Sequence, residues 1–521
     1  MKILQIAREY AGLAEAGGVK NVVCSLSEGL IKLGHQVTLF IPLYGCTNFD
    51  ILTNYEIIKD FQTKIFVDSK EYTVSFAKGF INELEVIFVV SPCFKDKLGV
   101  YTYTKEEELK NPSYTRGKGH IDGVENEIMF QKSIVEYLLY FSCDFDVIHC
   151  HDATTAFIPV FANTEQNKSF FSNTKFIVTI HNAGPAYRHE IDGIENAQKL
   201  TNIPIEILRQ GLVENIIEPY LLASFYSSLT TVSPWYAKEI LEPENHSTQG
   251  LSKAFSENKV SIYGITNGID FERYNPTDTT KSSLPFAYNP ETLDLEGKYR
   301  CKKGFFEYFN PSSINENQKL QDLMKESIEQ FGYLDFYDEK TVTFAYHGRL
   351  VHQKGLEVLA KAIPLCIEQN QNIRFIITGQ GDIKLEEQQI QLAKNYPGKI
   401  LYLRGYNKTL ARLCVAVSDY IVLPSFFEPC GLEDFISSIL GTIPLAHRTG
   451  GLQKIIDKKT GFLYSHNNKD ELCNNILNLI DFKINHNSQF LRMIKSAAEK
   501  VHYSYDWLNV IKNYYISIYK K

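Results

Sequence analysis

The sequence predicts an α/β protein built from two doubly wound domains, and three observations support this. Short apolar runs of strand length alternate with amphipathic helical patterns in both halves of the chain. At 521 residues the chain is too long for one ordinary domain. A stretch rich in Asn, Ser, Pro and charged residues, 275–340, interrupts the alternation. We therefore expect one Rossmann-like domain over 1–255 and a second over 260–500, with 275–340 as a linker carrying inserted helices.

The first domain begins with a predicted strand, a glycine-rich loop, a helix and a second strand. The strand covers 3–7, the helix 19–33 up to the stop at Gly34, and the next strand 36–41. This order is typical of a βαβ unit. Further elements continue the alternation and favour a parallel layer, namely apolar runs at 86–90, 147–150, 176–180 and 229–232 and a helical pattern at 127–140.

The second domain repeats the alternation from residue 342 onward. Predicted strands lie at 342–346, 374–378, 400–403, 420–423 and 444–446. Predicted helices lie at 356–369, 385–396, 408–418 and 433–440, and inserted helices at 295–309 and 317–331. The tail at 505–521 has helical periodicity, which is compatible with packing on the first domain. The pattern indicates a second doubly wound layer facing the first across a cleft.

Composition and charge exclude several classes of function. Lys and Arg total 54 against 61 for Asp and Glu, so the net charge of -7 favours neither nucleic acid nor a membrane surface as partner. Arg8 and Glu9 interrupt the N-terminal apolar run, and no run approaches the roughly 20 residues of a membrane helix. Ten cysteines without a Cys-x-x-Cys pair suit reduced thiols. We expect a cytoplasmic protein with no membrane partner.

A metal site is not expected. His149 and His151 lie two apart on a predicted strand and share a face, but no third and fourth ligand follows in order. Asp144 and Asp146 have the spacing of an Asp-x-Asp metal motif, yet they precede a strand, where solvated carboxylates are common. The sequence predicts chemistry without a cofactor.

Polar residues gather where predicted strands of the first half end. His151 and Asp152 follow one strand, and His181 and Asn182 follow another. Open α/β sheets bind ligands at this edge. The glycine pair Gly17-Gly18 joins the first strand to its helix, where backbone N–H groups attract anions, although a tight turn explains it equally well.

The second half carries the strongest cluster of charge. Arg349 and Lys354 lie in a loop that enters a helix after a strand, a place suited to cations that stabilise a diphosphate leaving group. Gly381 follows the next strand and allows close backbone approach. Ordinary surface ion pairs are the alternative for the two cations.

The most specific string is Ser-Phe-Phe-Glu-Pro-Cys-Gly-Leu at 425–432, which resembles the signature of bacterial glycogen and starch synthases nearly residue for residue. The segments 8–22, 146–152 and 264–270 resemble other motifs of that family, in the same order. The resemblance covers the chain from residue 1 to about 507, apart from the insert within 275–340.

The resemblance implies a GT-B fold and retaining transfer of glucose from ADP-glucose to the non-reducing end of an α-1,4-glucan, without a metal. The second domain then holds the nucleotide sugar, and the first faces the acceptor. The implied catalytic residues are His151, Glu428, Arg349 and Lys354. The implied donor-binding residues are Glu15, Gly17, Gly18, Gly381, Tyr406, Cys430, Gly431, Leu432, Thr449, Gly450 and Gly451. Asp152, His181 and Asn182 are placed on the sugar or acceptor side.

The chain departs from the family at several of these places. Glu15 stands where the family has Lys, Ala153 where it has Trp, and residues 183–187 do not follow the usual continuation. Two alternatives therefore stay open: a GT-B transferase with another donor or acceptor, and a degenerate member that binds glucan or nucleotide sugar as a regulator. The oligomeric state is not predicted.

Overall fold

Two compact units make up the structure, a computed structural model that describes residues 1–313, 328–338 and 340–520. The first unit is Met1–Asn267 together with the segment that begins at Val510, and the second is Gly268–Asn509. The C-terminal segment, for which the sequence suggested packing on the first domain, is thus grouped with it. Each unit contains a largely parallel sheet with helices, so the predicted α/β class is confirmed.

The first unit is organised around a nine-stranded sheet with the order β12-β11-β7-β6-β1-β2-β5-β4-β3, and a small sheet has the order β8-β10-β9. The strands are β1 (Lys2–Ile6), β2 (Gln36–Pro42), β3 (Thr53–Val67), β4 (Lys70–Ile81), β5 (Leu84–Val90), β6 (Val147–His151), β7 (Lys175–Ile180), β8 (Ile191–Asp192), β9 (Leu212–Val213), β10 (Ile216–Ile217), β11 (Ser228–Thr231) and β12 (Ile262–Gly264).

The expectation of a parallel layer holds for seven strands of the nine-stranded sheet and is wrong for β3 and β4. These two form an antiparallel hairpin that joins the sheet through β5. They were missed because Lys, Glu and other polar side chains interleave with their apolar ones, so neither strand is a continuous apolar run. Positive φ at Asp68, between the two strands, makes the tight turn that connects them.

The helices of the first unit pack around this sheet. The predicted helix at 19–33 is confirmed, and the one predicted at 127–140 begins four residues earlier. The helices are Val19–Lys32, Pro92–Lys95, Lys105–Lys110, Gly123–Tyr140, Ile158–Ala162, Ile194–Thr201, Ile205–Leu208, Pro219–Ser224, Pro234–Glu239 and Leu251–Glu257, with Ile511–Tyr515 (a π-helix) and Ile516–Lys520 at the C-terminus.

The second unit has a seven-stranded sheet with the order β13-β16-β15-β14-β17-β18-β19. Its strands are β13 (Glu329–Gly332), β14 (Val342–His347), β15 (Ile373–Gly379), β16 (Ile400–Arg404), β17 (Tyr420–Leu423), β18 (Ile443–His447) and β19 (Phe462–Tyr464). All neighbours are parallel except β13 and β16. The central strands are buried along nearly their whole length, as a sheet covered by helices on both faces requires.

One predicted inserted helix is only partly described. Of the helix expected at 317–331, residues 317–327 lie outside the described residues. Its last part is instead the edge strand β13, which pairs with β16 and stacks Phe331 on Tyr402 with ring centroids 5.8 Å apart. The helical prediction fails there because backbone pairing at the sheet edge outweighs local propensity.

The other inserted helix, Glu296–Phe309, is an integral part of the second unit. Lys298 is buried, and its ammonium donates to the carbonyl oxygens of Ala416, Ser418 and Leu440 and to the hydroxyl of Thr442. The helices of this unit are Phe271–Tyr274, Thr279–Ser282, Glu296–Phe309, Leu356–Gln369, Ile383–Asn395, Lys408–Ala416, Glu433–Ile439, Lys469–Asn485 and Asn487–Tyr505, followed by Trp507–Val510 at the boundary. Across the described ranges, no helix is both long and apolar enough to span a membrane.

Candidate active site

In the first unit, the ends of β6 and β7 place three histidines side by side. His151 Nδ1 lies 3.0 Å from His181 Nε2, and His151 Nε2 lies 2.7 Å from Gln5 Oε1 on β1. The His149 ring stacks on that of His151, with centroids 4.4 Å apart. Burial lowers the pKa of His149 to about 3 and holds the pKa values of His151 and His181 below their ordinary range, so all three rings are neutral near pH 7.

Asp152 ties the two strand ends together. Its backbone has φ +64°, a conformation uncommon outside glycine, and its Oδ1 accepts the backbone N–H of His181 at 2.9 Å and the hydroxyl of Tyr220 at 3.2 Å. Asn182 Oδ1 accepts the N–H of Gly184 at 2.8 Å. The structure thus brings together all four residues that the sequence placed at this edge.

The glycine-rich loop of the first unit already holds an anion from the chain itself. Glu9 is fully buried, and its Oε2 accepts the N–H groups of Ala16 at 2.9 Å and Gly17 at 2.6 Å. Burial raises the pKa of this carboxyl, and its Oε1 has no hydrogen-bond partner among the residues that the structure describes. Glu9 was not among the predicted site residues, although the sequence shows an acid shortly after the first strand.

Glu15, the departure from the family pattern, is paired within the same loop. Its Oε2 lies 3.0 Å from Lys20 Nζ in the first turn of the helix Val19–Lys32, and its Oε1 accepts the N–H of Gly12. Gly18 directly precedes that helix. A cation is therefore present at this helix start, but it comes from Lys20.

In the second unit, the loop after β14 and the loop after β17 bring Lys354 and Glu428 together. Lys354 Nζ lies 2.5 Å from Glu428 Oε2, and the hydroxyl of Ser425 donates to the same oxygen at 3.2 Å. Both predicted catalytic groups are largely shielded, with side-chain exposures of 23% and 12%. A pair in this setting is screened less than an exposed one.

The backbone holds this pair in place. The Phe426 N–H donates to the Gln353 carbonyl, and the Gln353 side chain donates to the Phe427 carbonyl, both at 2.9 Å. Gly355 follows Lys354 with φ +66°, and a Cβ at this position would lie 1.8 Å from the Pro424 carbonyl oxygen. Only glycine allows the two loops to approach this closely.

The loop after β18 supports Glu428 from the other side. The Gly451 N–H donates to the Glu428 carbonyl oxygen at 2.8 Å, and a Cβ on Gly451 would lie 2.2 Å from the Cys430 carbonyl oxygen. Thr449 donates its hydroxyl to the Phe426 carbonyl. The predicted donor-binding residues Cys430, Gly431, Leu432, Thr449, Gly450 and Gly451 thus lie in two loops that contact one another.

A buried cation that the sequence did not suggest lies beneath these loops. Lys454 Nζ donates to the carbonyl oxygens of Cys430, Gly431 and Gly451 and lies 3.0 Å from Asp434 Oδ1. Burial raises the pKa of Asp434 to about 6. Asp434, in the first turn of the helix Glu433–Ile439, is therefore the buried ion-pair partner of Lys454.

The remaining predicted residues follow the neighbouring strands. Arg349, Gly381 and Tyr406 lie after the carboxyl ends of β14, β15 and β16. The Gly381 N–H donates to Glu386 at 2.8 Å, Arg349 is exposed, and Tyr406 is 63% exposed. Among the described residues, no hydrogen bond or ion pair joins these three to the Lys354–Glu428 pair. Five adjacent strands thus direct their carboxyl ends toward one side of this unit, the ligand side of an open α/β sheet.

Within the described ranges, no group of three or more His, Cys, Asp or Glu side chains is arranged to hold a metal ion. His149 and His151 stack on each other, and their Nδ1 atoms form hydrogen bonds with Tyr519 and His181 respectively. The site consists of titratable groups, cations and backbone N–H groups.

Comparison with known proteins identifies relatives over the whole chain. Residues 2–257 match the family described as the starch synthase catalytic domain, and residues 341–481 match glycosyl transferases group 1. The chain is 31% identical to the glycogen synthase of Thermodesulfovibrio yellowstonii, with 100% of this chain and 97% of that protein covered. It is 28% identical to the glycogen synthase of Flavobacterium johnsoniae, with 100% and 98% covered.

Among solved structures, the catalytic domain of starch synthase IV from Arabidopsis thaliana, bound to ADP and acarbose, is similar in fold. The TM-score is 0.78 at 22% sequence identity, and the match covers 100% of this chain and 98% of that one.

Proposed function

Because this chain belongs to the glycogen and starch synthase family of GT-B glycosyltransferases, we propose that it transfers glucose from ADP-glucose to the non-reducing end of an α-1,4-glucan with retention of configuration. The two relatives described above are both glycogen synthases, and the match covers nearly the full length of each. The nucleotide sugar and the glucan are its proposed partners.

One observation carries the proposal: Lys354 and Glu428 form a shielded ion pair held by two loops at the ligand edge of the second sheet. Breaking a bond between glucose and a diphosphate leaves negative charge on the phosphate and positive charge on the sugar. A fixed cation and a fixed carboxylate side by side match that separation of charge. Because both groups are held before substrate arrives, they need little reorganisation during the reaction.

We assign the leaving diphosphate to Lys354 and Arg349. Lys354 offers a compact charge, and the exposed Arg349 guanidinium suits a phosphate at the mouth of the site. The loop at 449–451 acts mainly by holding the Glu428 backbone, since the Gly451 N–H is used there. Tyr406, exposed after β16, offers a face for the nucleotide base.

On the sugar side we assign His181, Asn182 and the carboxylate of Asp152. His151 has both ring nitrogens in hydrogen bonds within the chain, so its side chain acts by positioning His181. In the glycine-rich loop, the chain's own Glu9 accepts two of the N–H groups. We therefore assign to Lys20 the cationic role that the family pattern gives to position 15.

We propose that the reaction needs no metal, because Lys354 and Arg349 supply the positive charge that a divalent ion gives other transferases. The cytoplasm is the proposed compartment, where nucleotide sugars are available. Glycogen-dependent release of ADP from ADP-glucose that persists in a chelator would support both the donor and the metal-free chemistry. Release that disappears with the chelator would contradict the latter.

A second candidate keeps the chemistry and changes the donor. Glu15 motivates it, because this acid stands where the family has Lys and pairs with Lys20, so the glycine-rich loop differs in charge from the family pattern. Running the same assay with UDP-glucose separates the two: faster release from UDP-glucose than from ADP-glucose would favour the second candidate. If nucleotide is released from neither donor, the result would favour a degenerate family member that binds glucan or nucleotide sugar as a regulator.

A further inference from the structure

Three ionisable side chains, Arg8, Glu127 and His189, form a triad in the first unit. Arg8 lies two residues after β1, and its Nη1 donates to Glu127 Oε1 at 2.9 Å. The other oxygen of that carboxylate, Oε2, lies 3.0 Å from Nδ1 of His189, in the loop before β8. The side chains of Arg8 and Glu127 are 4% and 7% exposed, whereas that of His189 is 28% exposed. The triad therefore reaches solvent mainly through the His189 ring.

The backbone at His189 is fixed in an unusual conformation. Its φ is +51°, in the left-handed region that residues other than glycine seldom enter. The preceding residue, Arg188, is buried, and its Nη1 donates to the Thr248 carbonyl oxygen at 2.8 Å while its Nη2 contacts Glu190. A strained conformation of this kind persists only where the surroundings impose it. Here Arg188 anchors the backbone and Glu127 anchors the ring.

Contacts on two sides connect this ring to the sugar side of the first unit. Arg8 follows β1, which pairs in parallel with β6, the strand that ends just before Asp152. On the other side, Arg188 Nη1 lies 3.6 Å from Glu218 Oε2. Two residues further along, the hydroxyl of Tyr220 donates to Asp152 Oδ1 at 3.2 Å. The triad is thus tied to the strand end at which the sugar-side residues lie.

Glu127 determines which nitrogen of His189 is used inside the protein. Burial raises the pKa of its carboxyl, but the His189 ring and the Arg8 guanidinium outweigh burial and lower that pKa, so the carboxylate is ionised and can only accept. Nδ1 of His189 therefore carries a hydrogen. Among the described residues, Nε2 has no hydrogen-bond partner.

The free nitrogen limits the class of ligand. Nε2 accepts a hydrogen when the ring is neutral and donates one when the ring is charged. A hydroxyl group both donates and accepts, so it fits the ring in either state. A phosphate oxygen accepts only, and it would fit the charged ring alone.

We propose that His189 recognises a hydroxyl group of the glucan acceptor through Nε2, and that Arg8 and Glu127 are positioning residues that act through it. The glucan is favoured over the nucleotide sugar because the ring belongs to the first unit, whereas the Lys354–Glu428 pair and the donor-binding loops around it belong to the second. The glucan in this statement rests on the function proposed above. The hydroxyl as ligand class rests on the triad.

His189→Asn tests the proposal at a single atom. The Asn amide can donate to Glu127 in place of Nδ1, and Asn tolerates positive φ, but it has no atom at the position of Nε2. We expect KM for a linear α-1,4-glucooligosaccharide to rise about tenfold, with kcat and KM for ADP-glucose within about twofold of the wild type. Asn202→Gly is the matched control, because Asn202 is an exposed residue of the same unit with φ +58°. It is expected to keep all three constants.

An unchanged KM for the oligosaccharide in His189→Asn would overturn the proposal, and so would an equal rise in KM for ADP-glucose. If His189→Asn does not fold, His189→Gly serves instead, because glycine adopts this φ without strain. The same rise confined to the oligosaccharide is expected there, and its absence again overturns the proposal.

A binding measurement separates this contact from the function on which its ligand rests. Nuclear magnetic resonance of the full chain with 15N-labelled histidine follows the His189 signal, which is assigned by its loss in His189→Asn. The oligosaccharide, added without a nucleotide sugar, is expected to shift this signal, and inorganic phosphate is expected to leave it in place. No shift with the oligosaccharide, or a shift with phosphate alone, would overturn the contact even if the wild type transfers glucose. A wild type that shows the shift but transfers no glucose would refute the proposed function and leave the contact standing.

Discussion

Lys354 Nζ and Glu428 Oε2 lie 2.5 Å apart, although 74 positions separate them in the sequence. Their contact depends on two loops that follow neighbouring strands, β14 and β17, and on hydrogen bonds from Gln353 and Phe426 that join those loops. The pair is therefore set by the fold of the second unit before any ligand is present.

Removing either charge of this pair should abolish most transfer without unfolding the protein. We expect Lys354→Met and Glu428→Gln each to lower kcat at least about 100-fold, as loss of a preorganised charge does in other sites. Steady-state kinetics with ADP-glucose and glycogen measures this, and circular dichroism checks the fold. Lys361→Met, on the exposed face of the helix Leu356–Gln369, is the control and should retain activity. Near-normal rates in both site variants would refute the assignment.

Gly355 should be the least replaceable residue of the loop that carries Lys354. At φ +66°, with a Cβ only 1.8 Å from the Pro424 carbonyl oxygen, Gly355→Ala should lower the free energy of unfolding by about 2–4 kcal/mol. Gly304→Ala is the matched control, because Gly304 lies within the helix Glu296–Phe309 and a Cβ there meets no atom within 4 Å. That variant should be more stable than the wild type, by up to about 1 kcal/mol. Denaturant unfolding measures both, and equal effects would contradict the geometry.

Glu218 should make stability fall as pH rises. Burial raises the pKa of its carboxyl to about 8, against about 4.3 in an unfolded chain. Between these values the unfolded chain has lost the proton that the folded protein keeps, so the free energy of unfolding decreases from about pH 4 to about pH 8. Glu218→Gln cannot titrate and should match the wild type at pH 5 but exceed its stability at pH 8.5.

Thermal unfolding across this pH range measures the effect of Glu218. Glu206→Gln, an exposed position of the same unit, is the control and should follow the wild type. Parallel pH profiles for the wild type and Glu218→Gln would contradict the raised pKa.

Lys298 should be essential for the stability of the second unit. Its ammonium satisfies three carbonyl oxygens and one hydroxyl, all buried, and Lys298→Met leaves them without that donor. We expect the free energy of unfolding to fall by about 2–4 kcal/mol. Lys303→Met on the same helix, where the side chain is 73% exposed, should change it by less than about 0.5 kcal/mol. Similar values for the two variants would show that the buried contacts contribute little.

Most elements of the second unit have nearly the bounds that the sequence predicts, because each is an apolar run with clear ends. The helix Leu356–Gln369 and the strand β17 have the predicted bounds, and the other predicted strands of this unit differ by one residue at one or both ends. The edge strands β3 and β13 were not predicted, nor was β4, which lies between β3 and β5. An edge strand is stabilised by backbone pairing on one side and carries exposed polar residues, so its sequence lacks the apolar run that marks a central strand.

The site was predictable where a motif lies in one stretch of sequence. Lys354, Glu428 and the loop at 449–451 belong to such stretches, and the structure brings these residues together in the second unit. Gln5 and Tyr519 are 514 positions apart, and Lys454 reaches Cys430 across 24. No local pattern indicates contacts at such separations, because they depend on how each unit folds segments that are distant in sequence against one another.

The most direct test of the central claim is to follow the products formed from ADP-glucose and a linear α-1,4-glucooligosaccharide by the wild type and Glu428→Gln. We expect the wild type alone to form a ladder of products longer by successive glucose units, which an α-1,4-specific hydrolase degrades. A folded wild type that lengthens no oligosaccharide would contradict the proposed synthase activity, and a Glu428→Gln variant that lengthens it equally well would contradict the role of Glu428.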